Sequence, residues 1–166
     1  AEQEPQSRQT IHAAPEGAEQ SEREQRPSAP RTRRRTLLEY CVAAVPALHA
    51  HERTILEREF TDIVGMPIAT YAQQCASEAI ARLTFELEEQ FSQMSAHQLH
   101  GELAGTLTEL REQVLRERIK SLREQLASTE GVHHDELDTT ILEDIARAQR
   151  ALTQPPYTAA LFAQDT

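Results

Sequence analysis

Seven histidines, two cysteines and 27 acidic side chains are the raw material for chemistry in this 166-residue chain. A metal centre would need three or four such groups converging on one point. The densest set is His133-His134 beside Asp135-Glu136. Adjacent helical residues point about 100° apart, and a turn of polar residues needs no metal to exist. His97 and His100 share a face at i,i+3 with Glu102 nearby, but one helical turn supplies only two ligands. His49 and His51, next to Glu52, fail by the same count. HExxH and Cys/His zinc spacings are both missing. No metal and no cofactor is expected.

Acid–base work would need carboxylates flanking a cleft, where their pKa values can be pushed apart. Glu86, Glu88 and Glu89 form the tightest cluster, yet they surround Leu87 on what reads as the wet side of a helix. Neither Cys41 nor Cys75 has a histidine beside it in sequence, no GxSxG elbow exists, and the five glycines are scattered singly, without a phosphate loop. Both cysteines fall in apolar helical patterns, where a buried thiol is the ordinary reading. The chain is expected to be no enzyme and to take no small-molecule substrate. A small helical enzyme whose polar groups meet only in three dimensions is the rival, and a pocket with two or more buried titratable groups would reveal it.

What remains is chemistry of recognition. The net charge of -10 disfavours strong direct binding to a phosphate backbone. The charge is uneven: residues 1–35 carry seven basic and six acidic groups, and residues 36–166 carry ten and 21. The cluster Arg31, Arg33, Arg34, Arg35 reads as a solubilising linker end, or as a contact for nucleic acid or an acidic partner. In residues 1–35 Ile11 is the only large aliphatic side chain, so the segment is expected to be a disordered linker or leader. No apolar run reaches 18 residues and no signal-peptide core is visible, so a cytoplasmic chain without a membrane span is expected.

The elements that would position recognition residues are helices. Leu37, Leu38, Cys41, Val42 and Val45 form one stripe before Pro46, which either kinks that helix or opens the next. Ile55, Leu56 and Phe60 mark a second helix, ended near Gly65-Met66-Pro67. Ile68, Ala72, Cys75, Ala79, Leu83 and Leu87 suggest one helix from about Ile68 to Phe91, with Ile80 and Phe85 widening its apolar surface for contact on more than one side. Ser95 opens a further element, with Gly101 and Gly105 weakening its start.

Beyond Gly105 the stripe Leu103, Leu107, Leu110, Val114 gives way to Leu115, Ile119, Leu122, Leu126. The shift by one position turns the stripe by about 100°, so one continuous helix could serve two packing surfaces. Gly131 can end that helix and Asp135 can cap a last one. That last helix carries Leu137, Ile141, Ile145, Ala148 and Leu152 on its inner face and is stopped by Gln154-Pro155-Pro156. The expected fold is all-α: a small helical bundle over 36–100, then a long-helix antiparallel hairpin over 101–153 and a tail over 154–166.

Candidate contact residues follow from this layout. Leu142 falls about 100° off the inner stripe and is free to enter a partner groove. Arg147 and Arg150 on the same helix could bond carboxylates of an acidic partner. Tyr157, Leu161 and Phe162 in the tail either dock back locally or form a short sticky peptide.

The segment 107–152, with LREQVLRERIKSLREQL at its heart and an acidic connection to a second helix, resembles the end of bacterial replicative primases. In that family the terminal domain is a helical bundle with an appended hairpin, and it binds and stimulates the hexameric replicative helicase, coupling priming to unwinding. The resemblance implies that the hairpin attaches to the helicase and that 1–35 links to a catalytic core lying elsewhere. The zinc-binding cysteine set and acidic catalytic core of the family are missing from this sequence, so it is expected to make no primer itself. An unrelated helical adaptor or a coiled-coil oligomerisation protein are the other readings of the same helices.

Overall fold

Thr32 sets the start of the first helix, its Oγ1 accepting the Arg35 N–H at 3.3 Å. In the computed structural model, residues 32–163 are described, apart from 76 and 130–134. Over that span the chain is all-α, with six α-helices and two 3-10 turns. Helix α1 (Arg33–Ala44) ends where Pro46, which has no N–H to extend the ladder, tightens the chain into a 3-10 turn, Val45–Ala47. Helix α2 (Ala50–Val64) begins with the His49 N–H donating to the Glu52 carboxylate at 2.8 Å. Gly65 closes it in the left-handed region at φ 80°, its N–H bonded to Thr61 O. An added Cβ there would meet nothing within 4 Å, so the backbone angle and not crowding is what asks for glycine.

One helix was expected from Ile68 to Phe91, and here the structure differs. The chain forms α3 (Ile68–Gln74), extends at Cys75, and restarts as α4 (Ser77–Gln93). Ile68 and Phe91 belong to the same core. Twenty-three residues of straight helix would hold them about 35 Å apart, so the chain must turn for both to reach it. Aromatic contacts mark the two ends of the detour: Tyr71 lies 6.1 Å from Phe60, and Phe91 meets Tyr40 edge-on at 5.7 Å. The second apolar side expected of this stretch is not covered among the described residues. Phe85 is 78% exposed, because α4 turns only its Leu87 and Phe91 side inward.

Helix α5 (Ala96–Thr129) is preceded by a reciprocal cap, Ser95 N–H to Gln98 Oε1 at 2.8 Å and Gln98 N–H to Ser95 Oγ at 3.2 Å. It runs through exposed Gly101 and Gly105 without a break. The cost of about 1 kcal/mol per glycine is outweighed by burying Leu99, Leu103, Leu107 and Leu110, each worth roughly 1.5–3 kcal/mol. Those leucines join the main core with Leu37, Leu38, Cys41, Leu56 and Phe60. The expected 100/101 boundary between bundle and hairpin therefore falls inside one helix whose first half is bundle core. Further along, the stripe rotates as its spacing implies, and Ile119 with Leu115, Leu122 and Leu126 forms a second core against α6 (Asp135–Leu152). Ile141, Ile145 and Ala148 are buried in that seam. Leu137 was placed on the inner face but is 48% exposed. It sits eight residues before Ile145, about 80° around the helix, on the shoulder of the seam. Gly131 and the side chain of Asp135, expected to end one helix and cap the next, lie outside the described residues, as do His133, His134 and the expected linker up to Arg31. No helix among the described residues is long and apolar enough to cross a membrane.

Candidate protein-binding surface

The second half of α5 and the whole of α6 present two unlike flanks beside their shared seam. On one, Arg118 of α5 reaches Asp144 of α6 at 3.7 Å, and Arg147 bonds the same carboxylate at 2.7 Å. These pairs draw a polar cover over that side. The opposite flank is open. A groove of about 560 Å³ lies there, with Ile119, Ala127 and Leu152 in it and Arg116, Lys120, Arg123 and Glu124 along its α5 side. Gln149 lines it from α6. Leu142 is seven residues earlier, within about 20° of Gln149 around the helix, and is 53% exposed.

The candidate contact residues divide accordingly. Leu142 stands in solvent on the groove side of α6. Arg147 is on the covered flank, its side chain 69% exposed although bonded to Asp144. Arg150 is exposed in the last turn of α6, where a cation also complements the helix dipole. Tyr157, Leu161 and Phe162 are brought elsewhere: of their two expected fates, the structure shows docking. Phe162 is 1% exposed in the main core, with Tyr157 and Leu161 packed against it. The Tyr157 N–H donates to Thr108 Oγ1 at 2.9 Å, and the Arg111 guanidinium lies 4.7 Å over the Tyr157 ring while donating to Pro155 O at 2.9 Å. A 3-10 turn, Ala159–Phe162, then drops Phe162 into the core. Phe162 is thus a core residue and not a free anchor for a partner, because its ring fills space left between α2 and α5.

Two polar arrangements were invisible in the local sequence. His100 Nε2 and Glu52 Oε1 are 2.7 Å apart, both side chains nearly buried, and the His100 ring stacks on Phe162 at 5.3 Å. Burial pushes the Glu52 carboxyl up, but the His49 N–H and the His100 ring outweigh it and hold it below its usual value. The N-terminal arginines are the second: Arg33 grips Glu109 through two bonds of 2.6 Å, Arg34 pairs with Glu117, and Arg35 bonds buried Glu39 at 2.7 Å. Three of the four cluster members thus fasten α1 internally, two of them to α5 and Arg35 to Glu39 within α1. Of the two thiols expected to be buried, Cys41 is, and burial pushes it up to about 12, which leaves it inert as a nucleophile near neutrality, whereas Cys75 is only half-buried where the chain extends between α3 and α4.

Nothing in this set converges as a reacting centre would. A groove of about 350 Å³ between α1 and α4 has exposed Glu88 as its one titratable lining residue. Glu86 and Glu89 are likewise exposed, Glu86 bonded to Arg82 at 2.8 Å. His97 is exposed and apart from the His100–Glu52 pair. Among the described residues no three His, Cys, Asp or Glu side chains are grouped to hold a metal ion. No family model, no curated protein and no solved structure matches this chain.

Proposed function

We propose that this chain is a non-catalytic interaction module from the end of a bacterial primase, attaching to the hexameric replicative helicase through the α5–α6 hairpin. The observation that supports this reading is the sharing of α5. Its first half is core of the bundle and its second half is half of the hairpin, so a partner held by the hairpin is held rigidly to the bundle. Residues 110–126, the motif within the 107–152 segment that carries the sequence resemblance, are the stretch that spans the two cores. Exposed Leu142 supplies an apolar anchor on α6, and Arg150 a cation for a carboxylate of the partner. Several modules on one ring would keep the primase core at high effective concentration near unwound template. A helical adaptor for another protein would use the same surface.

The test is a binding titration of the intact chain with the replicative helicase of the same organism. Truncating the chain before α6 is unsuitable, because it also removes Phe162 from the main core. Point variants avoid this. Leu142→Asp is expected to weaken binding by about 30-fold, the equivalent of a loss of about 2 kcal/mol at an anchor, while circular dichroism stays that of the parent. No binding by the intact chain at about 50 µM removes the helicase assignment. Undiminished binding by Leu142→Asp moves the contact off α6.

A further inference from the structure

Two surface features remain without a partner among the described residues, and they are complementary. We infer that two copies of this chain associate by laying the Phe85 face of α4 from one copy into the basic groove of the α5–α6 hairpin of the other. Phe85 is 78% exposed, well above Leu137 and Leu142 at 48% and 53%. An aromatic ring standing in water on an ordered helix is a ready-made interface anchor. Glu78, Glu88 and Glu89 lie within about 60° of it around the helix, and all three are exposed. Glu78 and Glu88 bond no cation among the described residues, while Arg82, the cation nearest in register, already pairs with Glu86 at 2.8 Å. Arg82 also lies about 60° from Phe85, so the face is an apolar knob whose surroundings are net negative, with four carboxylates against one guanidinium.

The groove has the opposite character. Ile119, Ala127 and Leu152 offer apolar surface for a ring, and Arg116, Lys120 and Arg123 line it together with one carboxylate, Glu124, so cations outnumber anions in the lining. Arg123 has no ion pair among the described residues, Lys120 is a loose 3.9 Å from Glu124, and Arg116 lies 3.1 Å from Glu112. The chain as a whole carries -10, so two copies repel at a distance unless opposite patches meet. That repulsion leaves the acidic knob against the cationic groove as the favoured approach. Knob and groove sit on different helices, so the contact is heterologous. It closes only if a two-fold axis lets both copies exchange knobs at once, and otherwise it propagates.

A contact built on one ring and a few exposed charges is weak, with dissociation on the order of 100 µM, so the intact chain is followed by sedimentation equilibrium from about 10 µM to about 1 mM at low salt. Association is expected in the upper part of that range, and it should weaken several-fold when salt is raised to about 0.5 M. Phe85→Asp and the double variant Lys120→Glu with Arg123→Glu, all at exposed positions, should each sediment as monomers with unchanged helicity. Mixing the two variants restores one intact knob and one intact groove, so a 1:1 complex should reappear. An intact chain that stays monomeric to about 1 mM overturns the inference. So does association that survives Phe85→Asp, or a mixture of the two variants that remains monomeric.

Discussion

Replacing Phe162 with alanine removes a ring that is 1% exposed in the main core. A buried aromatic takes about 150–250 Å² out of water, which at about 25 cal/mol per Å² corresponds to roughly 4–6 kcal/mol. Measured aromatic-to-alanine changes in cores run lower, at about 3–5 kcal/mol. A further ceiling applies because the residue lies on a segment that can detach without unfolding the helices: once the docked tail is lost, its remaining contacts no longer matter. Those contacts include the Tyr157 N–H on Thr108 and Arg111 over the Tyr157 ring. The expected loss is therefore about 3 kcal/mol. Urea unfolding followed by circular dichroism reads this directly, since with a slope of about 2 kcal/mol per molar the midpoint should fall by about 1.5 M. Deleting residues 154–166 should match it to within about 1 kcal/mol, and Leu161→Ala, at a partly buried site, should cost less. A Phe162→Ala protein that unfolds at the parent midpoint would refute the docking of the tail and return Tyr157, Leu161 and Phe162 to the surface.

Three other outcomes follow from the same packing. Glu52 is held below its usual value of 4.5, so the stability it contributes is complete above that value and is lost as pH falls through the lower folded value. Glu52→Gln should be less stable than the parent near pH 6, with the difference shrinking in acid melts below about pH 4; a constant difference from pH 6 to pH 3 would contradict the pairing. Cys41, at about 12 and buried, should resist a maleimide in the native protein while half-buried Cys75 reacts, and denaturation should expose both thiols. Leu107→Ala, at a fully buried site, should cost about 2–5 kcal/mol, whereas Leu142→Ala should change stability by less than about 0.5 kcal/mol; a large loss at Leu142 would make it a core residue.

What could be read from residues alone was whatever depends on the period of one helix. The step from Leu103, Leu107 and Leu110 to Leu115, Ile119 and Leu122 is a rotation of about 100°, and it already implied one helix with two packing faces. Leu142 could be put outside the seam, and Pro46 and Gly65 could be marked as ends, for the same local reason. The break after Gln74 carries no glycine or proline, and exists because Ile68 and Phe91 must reach one core from opposite ends of a stretch too long to bring them there straight. Phe85 widens the apolar surface of this stretch, but a side chain's exposure depends on which neighbours the fold supplies, and among the described residues none covers that face of α4. The same holds for Arg33 on Glu109 across 76 positions and His100 on Glu52 across 48. Local sequence determines angles around a helix axis, while such partners are chosen only when separate helices come to rest against one another.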